Sequence, residues 1–126
     1  MRILLVYHFF HPDSVVSARI YTDLALALAE EGHDVTVFSS DCFHRGEARI
    51  GAEEKWRGIQ IYRFSRPRFD QSKNVQRLLN SLFIQLKWLR GFWRRRNDFD
   101  VVVVGTDPQF AYMIFPMLRL MKRQVK

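Results

Sequence analysis

The chain has 126 residues, of which 48% are hydrophobic and 14% aromatic, enough apolar material for one folded domain and too much for a disordered tail. Twenty Lys and Arg against thirteen Asp and Glu leave a net charge of +7, which favours anionic partners such as phosphates or lipid headgroups without choosing among them. A lone cysteine, Cys42, argues against a disulfide framework or a multi-cysteine zinc site, and the apolar opening Ile3 to Tyr7 is too short for a signal-peptide core or a membrane span.

Ile3-Leu4-Leu5-Val6-Tyr7 is continuously apolar, as in a central strand of a parallel sheet covered on both faces. After the polar turn His11-Pro12-Asp13-Ser14, the apolar positions Ala18, Ile20, Leu24, Ala25, Leu28 and Ala29 recur at three- and four-residue steps, predicting a helix that Gly32 terminates. Val35-Thr36-Val37-Phe38 predicts a second strand, so the three segments form a right-handed βαβ unit. Ser39 to Arg57 shows no period and reads as a long surface loop. Ile59 to Phe64 alternates, with Ile59, Ile61 and Arg63 on one face and Tyr62 and Phe64 on the other, and a helix is predicted over roughly Asn74 to Arg96. Val101 to Val104 predicts a buried strand that stops at Gly105-Thr106-Asp107-Pro108, and Phe110, Met113, Ile114, Met117 and Leu118 suggest a last helix shortened or kinked at Pro116.

Open parallel sheets bind ligands beyond the carboxyl ends of their strands, so the informative loops are Tyr7 to Arg19, Ser39 onward, and Gly105 to Pro108. The first of these lacks the Gly-x-Gly-x-x-Gly turn of a dinucleotide site, and no Gly-Lys-Ser/Thr phosphate loop occurs anywhere. His8 and His11 can offer polar contacts or a base to a hydroxylated ligand, or can simply be loop histidines. Asp13 and Ser14 either cap the helix or face the cleft. Arg19 opposes the helix dipole, which makes anion or partner recognition plausible there. Asp107 is placed to cap the last helix while that helix's N-terminus and Thr106 point into the cleft; both roles can coexist, so Thr106 and Asp107 are expected to line the cleft. His33 fits a structural role, and the Cys42/His44 pair is poor ground for a metal site, so no metal is expected.

The helix after Asn74 carries a second signal, because no acidic residue interrupts the sequence from Gln71 to Asn97. At 100° per residue, Leu78, Leu79, Leu82, Phe83, Leu86, Leu89 and Trp93 form one arc suited to packing on the sheet. Arg77, Ile84, Trp88 and Arg95 then line the opposite, outer face, a membrane-interface pattern. Three readings stay open for that face: a basic surface covered by more protein, attachment to an anionic membrane, and nucleic-acid binding, the last disfavoured for want of any known motif.

Met1 to Val6, the turn Phe9-Phe10-His11-Pro12-Asp13, Asp23-Leu24, Leu28-Ala29, Glu31 to Val37, Trp56-Arg57-Gly58-Ile59 and Asp100 to Pro108 together resemble, in order, the N-terminal acceptor-side domain of GT-B glycosyltransferases of the glycosyltransferase-4 type. The resemblance is strongest to those of bacterial surface-polysaccharide assembly, and spans nearly the whole chain. It implies a Rossmann-like α/β fold, an open parallel sheet with flanking helices forming one half of a GT-B enzyme. It also implies transfer of a sugar from a nucleotide-sugar, a co-substrate and not a bound cofactor, to a saccharide that is often lipid-linked, without a catalytic metal. By position it brings His11, Pro12, Asp13, Ser14 and Arg19 to the acceptor cleft, although Ser14 to Ala18 replaces the glycine-rich stretch of many relatives. The family's further histidine and its paired glutamates have no counterpart here, so no catalytic residue is assigned. Residues 1–126 are expected to be a single partial domain, inactive alone, whose donor-binding half lies elsewhere or on a separate chain. The expected setting is cytoplasmic, peripheral on the inner face of the cell membrane. The rival expectation is a non-catalytic α/β interaction module that binds membrane or a protein partner through the basic helix.

Overall fold

The computed structural model describes residues 1–43, 49–65, 67, 72–106, 116 and 120. Its elements are β1 (Arg2–Val6), α1 (Val16–Glu30), β2 (Asp34–Ser40), β3 (Glu53–Trp56), β4 (Ile59–Phe64), α2 (Asn74–Arg94) and β5 (Val101–Val104). They make one five-stranded sheet in the order β3-β4-β2-β1-β5. β1 pairs in parallel with β2 on one side and β5 on the other, placing Leu4 opposite both Thr36 and Val102. β4 joins parallel to β2, and only β3 runs antiparallel. The parallel α/β arrangement is the one the apolar runs predict, and it fits the Rossmann-like fold that the resemblance implies; β1 is an interior strand between β2 and β5, and β2 is the middle one.

Alternation along the strands sorts two cores. Ile3, Leu5, Val35, Val37, Ile59 and Ile61 point to α1, which meets them through the fully buried Ala25. Leu4, Val6, Phe38 and Val102 point the other way, to Ile84, Trp88 and Phe92 of α2. α1 ends where Gly32, at φ +86°, lets its own N–H reach the Ala29 carbonyl and that of His33 reach Leu28, a left-handed closure that suits glycine.

Three expectations are corrected. The long loop contains a strand: β3 pairs with β4 across a two-residue turn in which Arg57 and Gly58 both have positive φ, 48° and 81°, the conformation that matches the twist of a tight hairpin. Its Glu-Glu-Lys-Trp sequence lacks an apolar run because it is a half-exposed edge strand, where charge discourages further pairing. Next, the valines of β5 are not buried throughout. Only Val102 is buried, since β5, like β3, is an edge strand among the described residues.

The third correction turns α2 around. Ile84 and Trp88, expected on the outer face, are 0% and 2% exposed and pack on the sheet, whereas Leu78, Leu79, Leu82, Phe83, Leu86 and Trp93 of the expected inner arc are exposed. Gly91 decides the matter. A Cβ on it would lie 2.8 Å from Phe64 Cζ and 3.2 Å from Phe38 Cε2, so the helix backbone closes on these rings along the Gly91 side. Ile84, Trp88 and Phe92, spaced by four, share that stripe, and burying each contributes roughly 1.5–3 kcal/mol. Of the expected outer row only Arg77 is plainly exposed. Arg95, just past the helix, lays its guanidinium 4.1 Å over the Tyr62 ring. Asp107 and the suggested last helix lie outside the described residues, Pro116 and Leu120 excepted.

Candidate functional site

The strand order reverses at β1: the chain moves outward through β2 and β4 on one side, then returns to add β5 on the other. Such a switch opens a crevice at the carboxyl ends, here between the loop after β1 and the residues after β5. Gly105 lies at its floor, with its N–H donating to the Val6 carbonyl at 2.9 Å. Tyr7 and Tyr21 stack at 4.0 Å, and a Cβ on Gly105 would fall 2.1 Å from Tyr7 Cδ2 and 2.7 Å from the Tyr21 hydroxyl. Glycine is needed there for space. Burial holds the Tyr21 hydroxyl above its ordinary pKa, with Tyr7 adding to the effect, so it stays a neutral donor near the switch.

The loop after β1 is pinned by apolar anchors, for Phe9 and Phe10 are buried. His8 is buried too, its ring 4.4 Å from Phe9 and edge-on to Trp88 at 6.4 Å, so it belongs to the core beneath the crevice. His11 takes a different course. Its ring stacks on Trp56 at 3.9 Å with 12° between the planes, while Arg57 sits 5.3 Å from the Trp56 centroid. Its backbone N–H donates to Thr22 Oγ1 at 3.2 Å, and its carbonyl accepts from Arg63 Nη2 at 2.9 Å.

Arg63 organises this corner. It occupies the inward register of β4 that Ile59 and Ile61 share, and its side chain is 1% exposed. A buried guanidinium needs partners, and it finds Glu54 Oε2 at 2.8 Å, the Gly51 carbonyl at 3.2 Å and the His11 carbonyl. One cation thus ties the approach to the β3 edge to the loop after β1. Burial is the largest influence on the His11 imidazole and lowers its pKa, and Arg63 and Arg57 push the same way against the opposing pull of Glu54. At neutral pH His11 is therefore an uncharged ring that can accept a hydrogen bond or proton from a hydroxyl.

The remaining expected site residues divide. Pro12 and Ser14 are exposed beside His11. Asp13 is buried and accepts the Val15 N–H through Oδ1 at 3.2 Å, just ahead of α1, so neither it nor Ser14 caps the helix by a side-chain bond. Arg19 is exposed on the second turn of α1, and Thr106 is exposed immediately after Gly105. His11, Pro12, Asp13 and Ser14 thus share one loop, which His11 ties to β3 and β4, whereas Thr106 follows β5 at the other edge of the sheet. Trp56, Glu54, Arg63 and Gly105 were not among the expected site residues. The signal for Arg63 was a cation in the inward phase of an alternating strand, where an apolar residue would otherwise stand.

α2 forms another wall. It runs antiparallel to β4, setting Arg95 against Tyr62, Gly91 against Phe64 and Trp88 against His8, so its first turns reach past the carboxyl edge of the sheet. Asn80, Ser81 and Gln85 are buried in that stretch, and Gln85 Nε2 donates to Ser81 Oγ at 2.9 Å. A separate open cavity of about 380 Å³ lies at the opposite, amino end of the strands, lined by Arg2, Thr36, Gln60, Tyr62 and Arg95 among others.

The family model described as a glycosyl transferase 4-like domain matches residues 17–126, and the chain belongs to that family. No curated protein matches it. The match begins after the His11 to Ser14 loop, so the place of that loop in the site rests on the geometry above. Family membership gives glycosyl transfer as the general chemistry, with a nucleotide-sugar and an acceptor as the classes of substrate. No helix among the described residues is long and apolar enough to cross a membrane.

Proposed function

We propose that this chain is the acceptor-side, N-terminal half of a GT-B sugar transferase that acts in surface-polysaccharide assembly, taking a saccharide acceptor carried on a lipid at the cytoplasmic face of the membrane. The acceptor enters the crevice beside β1. His11 accepts a hydrogen bond from an acceptor hydroxyl, Asp13 and Arg63 hold the loop that presents it, and Pro12, Ser14, Arg19 and Thr106 line the approach. The donor nucleotide-sugar is held by residues other than these 126, in cis or on a second chain. The observation that carries the reading is the neutral His11 ring on the loop after β1, stacked on Trp56 of β3 and tethered through its carbonyl to the buried Arg63 of β4.

The test is saccharide binding followed by amide and imidazole NMR on the whole chain. Lipid-linked or free oligosaccharides should shift the resonances of His11, Thr22 and Thr106, and His11→Ala should weaken binding by roughly tenfold, the order of one lost hydrogen bond to a well-placed partner. Shifts produced by nucleotide-sugars alone would move the donor into this half and overturn the assignment. Sugar transfer by the chain alone would do the same.

A further inference from the structure

Tyr21 and Thr22 stand next to each other on α1, and the fold employs only one of their hydroxyls. Thr22 Oγ1 accepts the His11 N–H at 3.2 Å and donates to the Ala18 carbonyl at 2.7 Å. Among the described residues nothing hydrogen-bonds the Tyr21 hydroxyl, although the half-buried side chain has lost enough water to raise its pKa. The ring holds this group in one place. It lies flat on Tyr7, with 4.0 Å between centroids and 11° between planes, and Tyr7 is buried against Ala18. The stack sets the hydroxyl against Gly105, where a Cβ would meet it at 2.7 Å.

Tyr7 follows β1 and Gly105 follows β5, so the phenol stands at the carboxyl edge between the two strands, where the strand order reverses. Thr106, the next residue, is exposed and carries a second hydroxyl. These groups select a ligand chemistry. A phenol and an alcohol each donate and accept, as does every hydroxyl of a sugar. A phosphate or carboxylate would call for a cation, and the residues packed about the stack, Phe9, Val15, Ala18 and Gly105, carry none. We infer that Tyr21 is a contact residue for the acceptor saccharide, its hydroxyl donating to a sugar oxygen beside the end of β1, with Thr106 as the second contact. The inference rests on the reading of the crevice as the acceptor site, and it adds a contact on the β5 side of β1 to the His11 corner on the side of β3 and β4.

The experiment titrates the whole chain, isotope-labelled at tyrosine Cζ, with the methyl glycosides of glucose, galactose and N-acetylglucosamine. Tyr21→Phe assigns the Tyr21 resonance and removes the hydroxyl while leaving a ring to stack on Tyr7. At least one glycoside should shift that resonance, and Tyr21→Phe should weaken its binding about tenfold, the order of one lost hydrogen bond. The urea midpoint should not move, whereas loss of a structural hydroxyl would lower it. His11→Ala separates the inference from the reading beneath it. Weakening by Tyr21→Phe and not by His11→Ala upholds the inference and takes His11 out of the site, and weakening by both upholds both. Weakening by His11→Ala alone, a glycoside that binds without shifting the Tyr21 resonance, or a midpoint lowered in Tyr21→Phe overturns the inference and leaves the reading. No response to any of the glycosides overturns the two together.

Discussion

α1 and α2 press on opposite faces of the same sheet, and they do so by different means. α1 approaches on small residues: Ala18 and Ala25 are fully buried, while Ile20 and Leu24 are left exposed. α2 approaches on one glycine, around which Ile84, Trp88 and Phe92 fill the space. On both helices the smallest side chains, not the densest run of large ones, mark the side that touches the sheet. Close approach is limited by the backbone and Cβ, whereas large apolar side chains can be accommodated on either side if something else covers them.

The largest break in this comparison should come from the two apolar sides of α2. Trp88→Ala is expected to cost about 3–5 kcal/mol and Leu86→Ala to stay within about 0.5 kcal/mol, read from urea unfolding at equal m-values. Equal costs would return the leucine arc to the sheet. Next come the close approaches. Gly105→Ala puts a methyl into the Tyr7 ring and should cost about 1–3 kcal/mol or more, while Gly91→Ala should cost about 1–2 kcal/mol, because the Phe64 ring can give way and alanine favours the helix. If Gly91→Ala stabilises the chain, the Phe64 contact is not what sets the distance of α2 from the sheet.

The fold was largely legible in the sequence wherever burial is two-sided. Ile3 to Tyr7 and Val35 to Phe38 have no polar phase, and such runs fit only interior strands. β3 escaped because an edge strand can be written in charges, and its one signal was the Arg57-Gly58 turn. The side of α2 that faces inward escaped because periodicity defines an arc and not its partner, and reading Gly91 as a point of close approach would have resolved it. Of the candidate site, the loop from His11 to Ser14 was legible by its place after the first strand. The tether was not, since the pairing of Arg63 with Glu54 and the His11 carbonyl depends on a hairpin register that spacing along the chain does not reveal.

Two contacts, one on the α1 side and one at the amino end of the strands, also answer to acid. On the α1 side, His11 has its pKa lowered by burial, so the unfolded chain takes up a proton more readily than the folded one. Its contribution is intact above its ordinary value of 6.5 and is lost as the pH falls from there toward the lower folded value. His11→Phe, which keeps a ring on Trp56, should remove that part of the pH dependence between pH 7.5 and 5.5. Parallel slopes for the two proteins would sever His11 from the stability of the corner.

At the amino end, the answer has the same sign, a lower pH range and the smallest size. Arg2 donates from Nη2 to Asp100 Oδ1 at 2.8 Å and from its backbone N–H to Oδ2 at 2.9 Å, and these bonds hold the Asp100 carboxyl down to about 2 from an ordinary 3.8. A depressed carboxyl stabilises the fold above its ordinary value and loses that contribution as the pH falls toward 2. The pair is exposed, so solvent and salt screen it. Asp100→Asn should therefore lower the melting temperature only slightly at pH 7 in low salt, less in high salt, and converge on the native chain at the acid end. A loss at pH 7 as large as that of Gly91→Ala would mean that the Arg2 contact anchors β1 to the turn before β5 and is no mere surface ion pair.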